Sequence, residues 1–534
     1  MIQRTLIRAF DELADTPDGV AKLRELVFQC AVQGRLSPQS SSDAPDNFDL
    51  LGERKAPRAQ PTGRVGGSLE EVTSDEISDP IPKSWAWVRL FKLCAPDAPI
   101  VYGILQPGPN VRPNGVPYVR PTEIKGHSIR LAEIRHTTPE IAAQYTRSVI
   151  RAGDVLLTIV GTLGAVAVVP KELDGGNITQ SSCRLRPDAN FINTAYLLIC
   201  LRSPILLKQY LRFSLGSAVQ RLNIAHVRAL AIPLPPLAEQ ARIVAKVDEL
   251  MALCDALEAR QTTRSEARRR LHAATLHQVT AARSPAELAA HWSRLRTHFD
   301  PLHSAPDSIP ALRQTILSLA VQGRIGECDP SAWPRQTLRS LAVLITSGSR
   351  GWAEYYSADG PLFVRAQNVK RNGRLLLDDV AHVRPPPLAE GARTRIQVND
   401  VLVVITGAGV SQAARVTDDI GEAYISQHVA LVRLKEPASA PWLDLQLHAV
   451  AGCLGQLAEF IYGAKPGLNL DNLRNLELSL PPLAEQKRIV TKVEQLLALC
   501  DELETRLKDG DARRERLLTA AIHDILQTTY ASED

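Results

Sequence analysis

Two stretches of this chain carry the same apolar spacing. From Ile243 the sequence places Val247, Leu250, Cys254 and Leu257 at intervals of 4, 3, 4 and 3, and from Ile489 it repeats the pattern with Val493, Leu496, Cys500 and Leu503. Heptad spacing of this kind draws one apolar seam along a helix. Each seam follows the hexapeptide PPLAEQ, at Pro235 and Pro481, and proline sits well just before or within a first helical turn. Two helices of about 40 residues are predicted, each roughly 60 Å long at 1.5 Å per residue. The economical partner for each seam is the other, which makes an intramolecular pair with approximate two-fold symmetry.

The copying extends beyond the seams. Pro235–Arg260 and Pro481–Arg506 are 26 residues each and differ at seven positions, which marks an internal duplication. Upstream, GDVLLTIVGTLG from Gly153 matches NDVLVVITGAGV from Asn399, and PYVRPTEIKG from Pro117 echoes LFVRAQNVKR from Leu362, at nearly the same offset. A second pair, Ala9–Leu36 and His298–Ile325, ending in AVQGRL and AVQGRI, lies 289 positions apart. The extra 43 positions fall between Gln39 and Asp79, a polar segment rich in Pro, Gly and Ser without apolar period, which reads as an inserted flexible loop. Between the helices, runs such as VLLTIV, AVAVV, VLVVIT and HVALVRL are β-branched and punctuated by glycine, which favours small, mixed, β-rich domains. The organisation that follows is a helical segment at 1–36, a flexible loop at 37–79, a globular domain at 80–234, a central helical region at 235–330, a second globular domain at 331–480 and a terminal long helix at 481–534.

Composition narrows the function classes only slightly. The 62 basic and 58 acidic residues leave a formal charge of +4, which is compatible with nucleic-acid binding without arguing for it. The eight cysteines form no CxxC pair and have no histidine at zinc-ligand spacing, so a structural metal site is not expected; Cys254 and Cys500 lie on the seams, where a free thiol packs as a small apolar group. The start of the chain lacks the apolar core of a signal peptide, and no window approaches a membrane span. A reducing, cytoplasmic setting without membrane contact is expected.

Two similar globular heads on paired helices make a ruler, and B-DNA repeats equivalent groove faces every 34 to 36 Å. Because the heads have diverged while the helices have not, the two sites read should differ, giving a bipartite, asymmetric target. The repeated PPLAEQ helix, the helix ending AVQGRL, the Trp85-Ala86-Trp87 opening of the first head and the internal GDVLL together resemble the specificity subunits of type I restriction-modification systems. The resemblance covers nearly the whole chain. It implies an α+β fold with two target-recognition domains separated by a pair of long antiparallel coiled-coil helices, in a pseudo-two-fold internal repeat. It further implies double-stranded DNA, two methyltransferase subunits and, through them, restriction subunits as partners. S-adenosylmethionine would then belong to the methyltransferase partner, and ATP with Mg2+ to the restriction partner. No adenine-methyltransferase motif, adenosylmethionine loop or GxxxxGK[ST] phosphate loop is present, so no cofactor and no catalytic residue are expected in this chain.

Candidate DNA contacts come in repeat-equivalent pairs. Arg120 and Lys125 match Arg365 and Lys370; shared positions suit a grip on phosphate, while arginine also suits guanine. Gln180 matches Gln427, and glutamine can pair with adenine. Divergent neighbours suit base readout: Thr122 against Gln367, and Ser181 against His428. Glycine loops carry Arg221 and Lys465, and Arg350 lies in a loop of the second head. Each of these also fits a bland role as a solvated charge, a strand cap or a turn residue. Glu239, Gln240, Glu485 and Gln486, on helix faces away from the seams, are the expected methyltransferase-docking residues, although PPLAEQ could equally be repeated for its turn geometry. The competing readings are a coiled-coil scaffold without DNA readout and a stand-alone enzyme, the latter disfavoured by the missing motifs.

Overall fold

The computed structural model describes residues 18–38, 51–52, 54, 72–73, 76, 79–112, 114–214, 220–326, 329–385, 393–407, 409–461 and 467–527. They form two compact units. The first comprises Met1–Thr262 with Arg513–Asp534, and the second Thr263–Ala512. Both long helices are present, Leu237–Ala281 and Leu483–Gln527, each of 45 residues. Each begins in one unit and ends in the other.

Within each unit a short anchor helix, Gly19–Val32 or Ile309–Val321, packs beside the start of a long helix. The anchor is mostly apolar and mostly buried, and the AVQGRL motif is its stop. Gly34 and Gly323 take φ of +70° and +73°, so that Arg35 N–H reaches Cys30 O at 2.9 Å and Arg324 N–H reaches Leu319 O at 2.9 Å. That is the left-handed helix ending that glycine makes at least cost. Arg24 bridges to Asp255 and Glu258 at 2.5 and 2.8 Å, and Arg313 to Asp501 and Glu504 at 2.5 and 3.1 Å. The same ion pairs therefore tie anchor to long helix in both units.

Each seam is buried in the core of its own unit. Ile243, Val247, Leu250 and Cys254 are buried in the first unit's core with Leu23, Val27 and Leu197, joined by Leu518 from the last turns of the second long helix. Ile489, Val493 and Cys500 are buried in the second unit's core with Leu312, Ile316 and Trp442.

Each recognition domain is built on a four-stranded sheet. In the first its order is Val101–Tyr102, Ser182–Leu185, Val155–Thr158, Val166–Val168, and in the second Ala342–Ser347, Val429–Leu434, Val401–Val404, Ala413–Arg415, all antiparallel. The β-branched runs thus form strands, buried on both faces. A three-stranded sheet adjoins each, pairing Val116–Val119 in parallel with Asn177–Ile178, and Tyr356–Val364 with Ala423–Ile425. The GDVLL motif explains itself here. Asp154 and Asp400 are buried and accept bidentate bonds from Arg186 (2.7 and 2.8 Å) and Arg433 (2.8 and 2.7 Å), which locks the strand start to its neighbour.

Among the described residues no helix is long and apolar enough to cross a membrane. The seam thiols Cys254 and Cys500 are buried, as their place in the heptads requires; burial raises both above their ordinary range.

Candidate nucleic-acid interface

In both domains a ladder of nonlocal backbone bonds gathers loop ends to one rim. In the first, Thr179 N–H donates to Val119 O at 3.2 Å, Gln180 N–H to Ile104 O at 2.9 Å, Ile159 N–H to Ser181 O at 2.9 Å and Leu222 N–H to Ile159 O at 2.9 Å. In the second, Ser426 N–H donates to Val364 O at 2.9 Å, Ile405 N–H to His428 O at 2.9 Å and Leu468 N–H to Ile405 O at 2.8 Å. Gly103 and Gly348 seal the crossing, for a Cβ there would stand 1.9 Å from Ile178 O or 2.2 Å from Ile425 O. Only glycine admits such a close approach of two backbones.

The rims collect six of the residues proposed from sequence, Gln180, Ser181, Arg221, Arg350, Gln427 and His428. Gln180 and Arg221 are exposed and Ser181 half-buried on the first rim; Gln427 and His428 are exposed on the second. Thr406 Oγ1 lies 2.5 Å from His428 Nδ1, and Gln427 Nε2 lies 3.2 Å from His428 Nε2, so the imidazole is held in place between two polar neighbours. Arg350, exposed, follows the rim glycine Gly348 by two positions. Lys125 and Lys370 are exposed on small hairpins adjacent to the Arg120 and Arg365 turns. Lys465 lies outside the described residues.

The two arginines differ in what they meet. Arg120 caps a short 3₁₀ turn and binds Glu123, whose carboxylate is fully buried; Arg120 Nε donates to Oε1 at 2.9 Å and Arg120 N–H to Oε2 at 2.6 Å. Thr122 Oγ1, exposed, also donates to Oε1, at 2.8 Å. The hydrogen bond to Glu123 raises the Arg120 pKa above its ordinary value. At the equivalent turn Arg365 N–H donates to Asn368 Oδ1 at 2.9 Å, and the guanidinium reaches Asp379 O at 3.5 Å. A neutral amide stands where the first domain has a carboxylate. Gln367 beside it is exposed.

The expected docking residues are not on the surface. Glu239 and Gln240 are 1 and 0 % exposed, and Glu485 and Gln486 3 % each. Glu239 accepts from Trp85 Nε1 at 2.9 Å and from Ser37 Oγ at 3.0 Å. Gln240 Nε2 donates to Phe191 O and Pro235 O, both at 2.9 Å, and its Oε1 accepts Asn193 N–H at 2.7 Å. Glu485 pairs with Arg488, and Gln486 donates to Pro481 O at 2.8 Å. In this structure Glu239, Gln240 and Glu485 are engaged by groups of their own unit, while Gln486 uses only its Nε2. They start the long helix, with a buried acid in the first turn where the helix dipole favours it, and fasten it to the recognition domain.

Sequence reasoning missed three further features. Thr406 holds His428, Leu105 is 47 % exposed on the first rim beside Tyr102 at 49 %, and Glu123 neutralises Arg120. Trp352, two positions after Arg350, is buried, stacked on Phe363 with centroids 5.0 Å apart. Among the described residues no group of three His, Cys, Asp or Glu side chains could hold a metal ion.

The chain is similar in sequence and in fold to known proteins. The family model described as "Type I restriction modification DNA specificity domain" matches residues 109–265 and 394–510. The chain is 25 % identical to the type I restriction enzyme EcoEI specificity subunit of Escherichia coli, over 94 % of this chain and 93 % of that one. It is likewise 25 % identical to the EcoAI specificity subunit of the same species, with the same coverage. A solved structure from work on complex assembly and conformational transition of the type I R-M system covers 83 % of this chain and 98 % of its own, with 22 % identity and a TM-score of 0.53, a likeness of fold.

Proposed function

Because this chain belongs to the type I restriction-modification DNA specificity family, and so is a non-catalytic specificity subunit, we propose that its two domains each read one half of a bipartite, asymmetric DNA site. The long helices set the spacing between the halves and carry the methyltransferase subunits. Restriction subunits join through those. S-adenosylmethionine serves the methyltransferase partner, ATP and Mg2+ serve the restriction partner, and the assembly works in the cytoplasm.

The observation that carries this reading is one frame with two sets of side chains. The rims are laced by equivalent backbone bonds, yet at equivalent repeat positions the first domain has Ser181, Thr122 and Arg120–Glu123 and the second has His428, Gln367 and Arg365–Asn368. Identical frames with different exposed donors and acceptors suit two readers of different half-sites, since base edges are distinguished by donor and acceptor pattern. Lys125 and Lys370, exposed at matching places, suit phosphate contacts that position without specifying.

Selection from a random duplex library by the chain co-purified with its methyltransferase partner tests this. The expected product is a motif of two short defined halves separated by a fixed run of undefined bases. Enrichment of one uninterrupted motif, or of none, contradicts it.

A further inference from the structure

The second unit contains a cavity of about 390 Å³ beside the start of the second long helix, walled by Leu341, Leu434, Trp442, Leu443 and Leu483 and reached by Gln486. Gln486 is 3 % exposed; its Nε2 donates to Pro481 O, but its Oε1 has no hydrogen-bond partner. A buried carbonyl oxygen left unpaired is costly, and cavities lined this way need a donor to close them.

The first unit shows what closes the equivalent place. There the Gln240 amide is fully used, its Oε1 taking the Asn193 N–H at 2.7 Å and its Nε2 binding Phe191 O at 2.9 Å. The Phe191 ring is buried, and Arg54 lies over it, 4.4 Å from the ring centroid. Arg54 also donates to Lys92 O at 2.8 Å and Cys94 O at 3.1 Å and pairs with Asp188. Arg54 and its buried neighbour Leu51 belong to the segment inserted only in the first half. In the second unit Lys435 stands where Asp188 stands, each donating its N–H at 2.9 Å to the carbonyl that ends a short helix, Leu341 O or Leu93 O. Lys435 Nζ takes Ser340 O at 2.8 Å, the counterpart of the carbonyl that Arg54 binds. Proline and alanine, at Pro437 and Ala438, fall where Phe191 and Ile192 fall. The second socket thus has the walls and the glutamine but neither the aromatic plug nor the covering insert.

The geometry points to this socket as a peptide-docking site, which takes from a partner protein one large apolar side chain, aromatic by preference, on an extended strand whose backbone N–H bonds Gln486 Oε1. The first unit supplies the same pair of groups from its own chain, an aromatic ring and an N–H two residues on. That precedent favours a peptide over a free small aromatic molecule. Among the described residues the second unit presents the open amide and the first does not, so the contact distinguishes the two units.

The test uses the full chain labelled with 5-fluorotryptophan, with the Trp442 resonance assigned by Trp442→Phe. N-acetyl-phenylalanine amide is the probe, with N-acetyl-glycine amide and benzyl alcohol as controls. The expected result is a saturable shift of the Trp442 resonance by the phenylalanine probe alone, lost in Ser439→Phe, which fills the cavity. Leu443→Phe fills it from another wall and decides the matter if Ser439→Phe does not fold. No shift at millimolar probe, a shift that persists in both filled variants, or an equal response to benzyl alcohol overturns the proposal.

Discussion

Arg120 closes on the buried carboxylate of Glu123 through its Nε, 2.9 Å from Oε1, while the same turn in the second unit offers Arg365 only the amide of Asn368. One domain spends its arginine on its own fold and the other keeps the positive charge. Asn368→Glu should install the missing carboxylate and neutralise Arg365. We expect weaker DNA binding by the assembled complex and a salt dependence of binding reduced by about one phosphate contact. Titration at several salt concentrations checks this; an unchanged slope would show that Arg365 stands away from the DNA.

In the first domain the mirror change acts on stability. Glu123→Gln removes the charge that Arg120 encloses and one of the acceptors of the turn, and should cost about 1–3 kcal/mol. Urea unfolding of the full chain measures it, and an effect below about 0.5 kcal/mol, the size of an ordinary surface change, would mean that the pair is incidental.

Glu239 fastens the first long helix to Trp85, so its substitution should read as lost stability. Glu239→Ala leaves the indole N–H and the Ser37 hydroxyl without their acceptor, at an expected cost of about 2 kcal/mol or more. If instead the variant is as stable as the parent and fails only to bind the methyltransferase, the buried geometry is not the one that matters.

Gly34 and Gly323 stop the two anchor helices against tryptophan-bearing loops. A Cβ on Gly34 would lie 2.4 Å from Pro82 Cγ, and one on Gly323 2.5 Å from Pro330 Cβ, both at positive φ. Each Gly→Ala change should destabilise its unit by about 2 kcal/mol or more, from the left-handed backbone alone plus the clash. Thermal unfolding of both variants checks it, and a neutral result for either would refute the stop.

His272 and His303 meet Nε2 to Nε2 at 3.1 Å in the second unit, with His303 Nδ1 held 2.9 Å from Phe299 O. Burial, then the His303 and Arg268 charges, push His272 down to about 4 from its ordinary 6.5, with Asp307 opposing. The unfolded chain therefore binds the proton first as pH falls through 6.5. Stability that is full above 6.5 is lost progressively toward pH 4. His272→Asn should flatten that slope, which denaturant midpoints across the range will show; an unaltered slope would exclude His272 as its source.

Much of this architecture was legible because it was written twice. The seams of Ile243 and Ile489, the AVQGRL stops and the strands from Val155 and Val401 all rest on local periodicity and turn chemistry, which sequence carries directly. The anchor-helix residues that share each seam's core, such as Leu23 and Leu312, were not legible, because they come from segments far away in the chain. The burial of Glu239 and Gln240 was hidden for a related reason. Polar residues after a Pro-Pro pair look solvent-facing until Trp85 and Asn193, distant in the chain, arrive to bind them. On the rims, residue types such as Gln180 and His428 could be singled out, but their assembly depends on backbone bonds between segments 22 to 76 positions apart. No pattern announced that Glu123 would neutralise Arg120.

The central claim is that two domains on one frame read two different half-sites. Single-molecule sequencing of DNA from cells producing this chain with its methyltransferase partner tests it most directly, comparing the full protein with one whose second domain, residues 331–480, is replaced by a foreign one. The account predicts N6-methyladenine at a split motif, with only one half of the motif changed by the exchange. A change in both halves, or in neither, would contradict it.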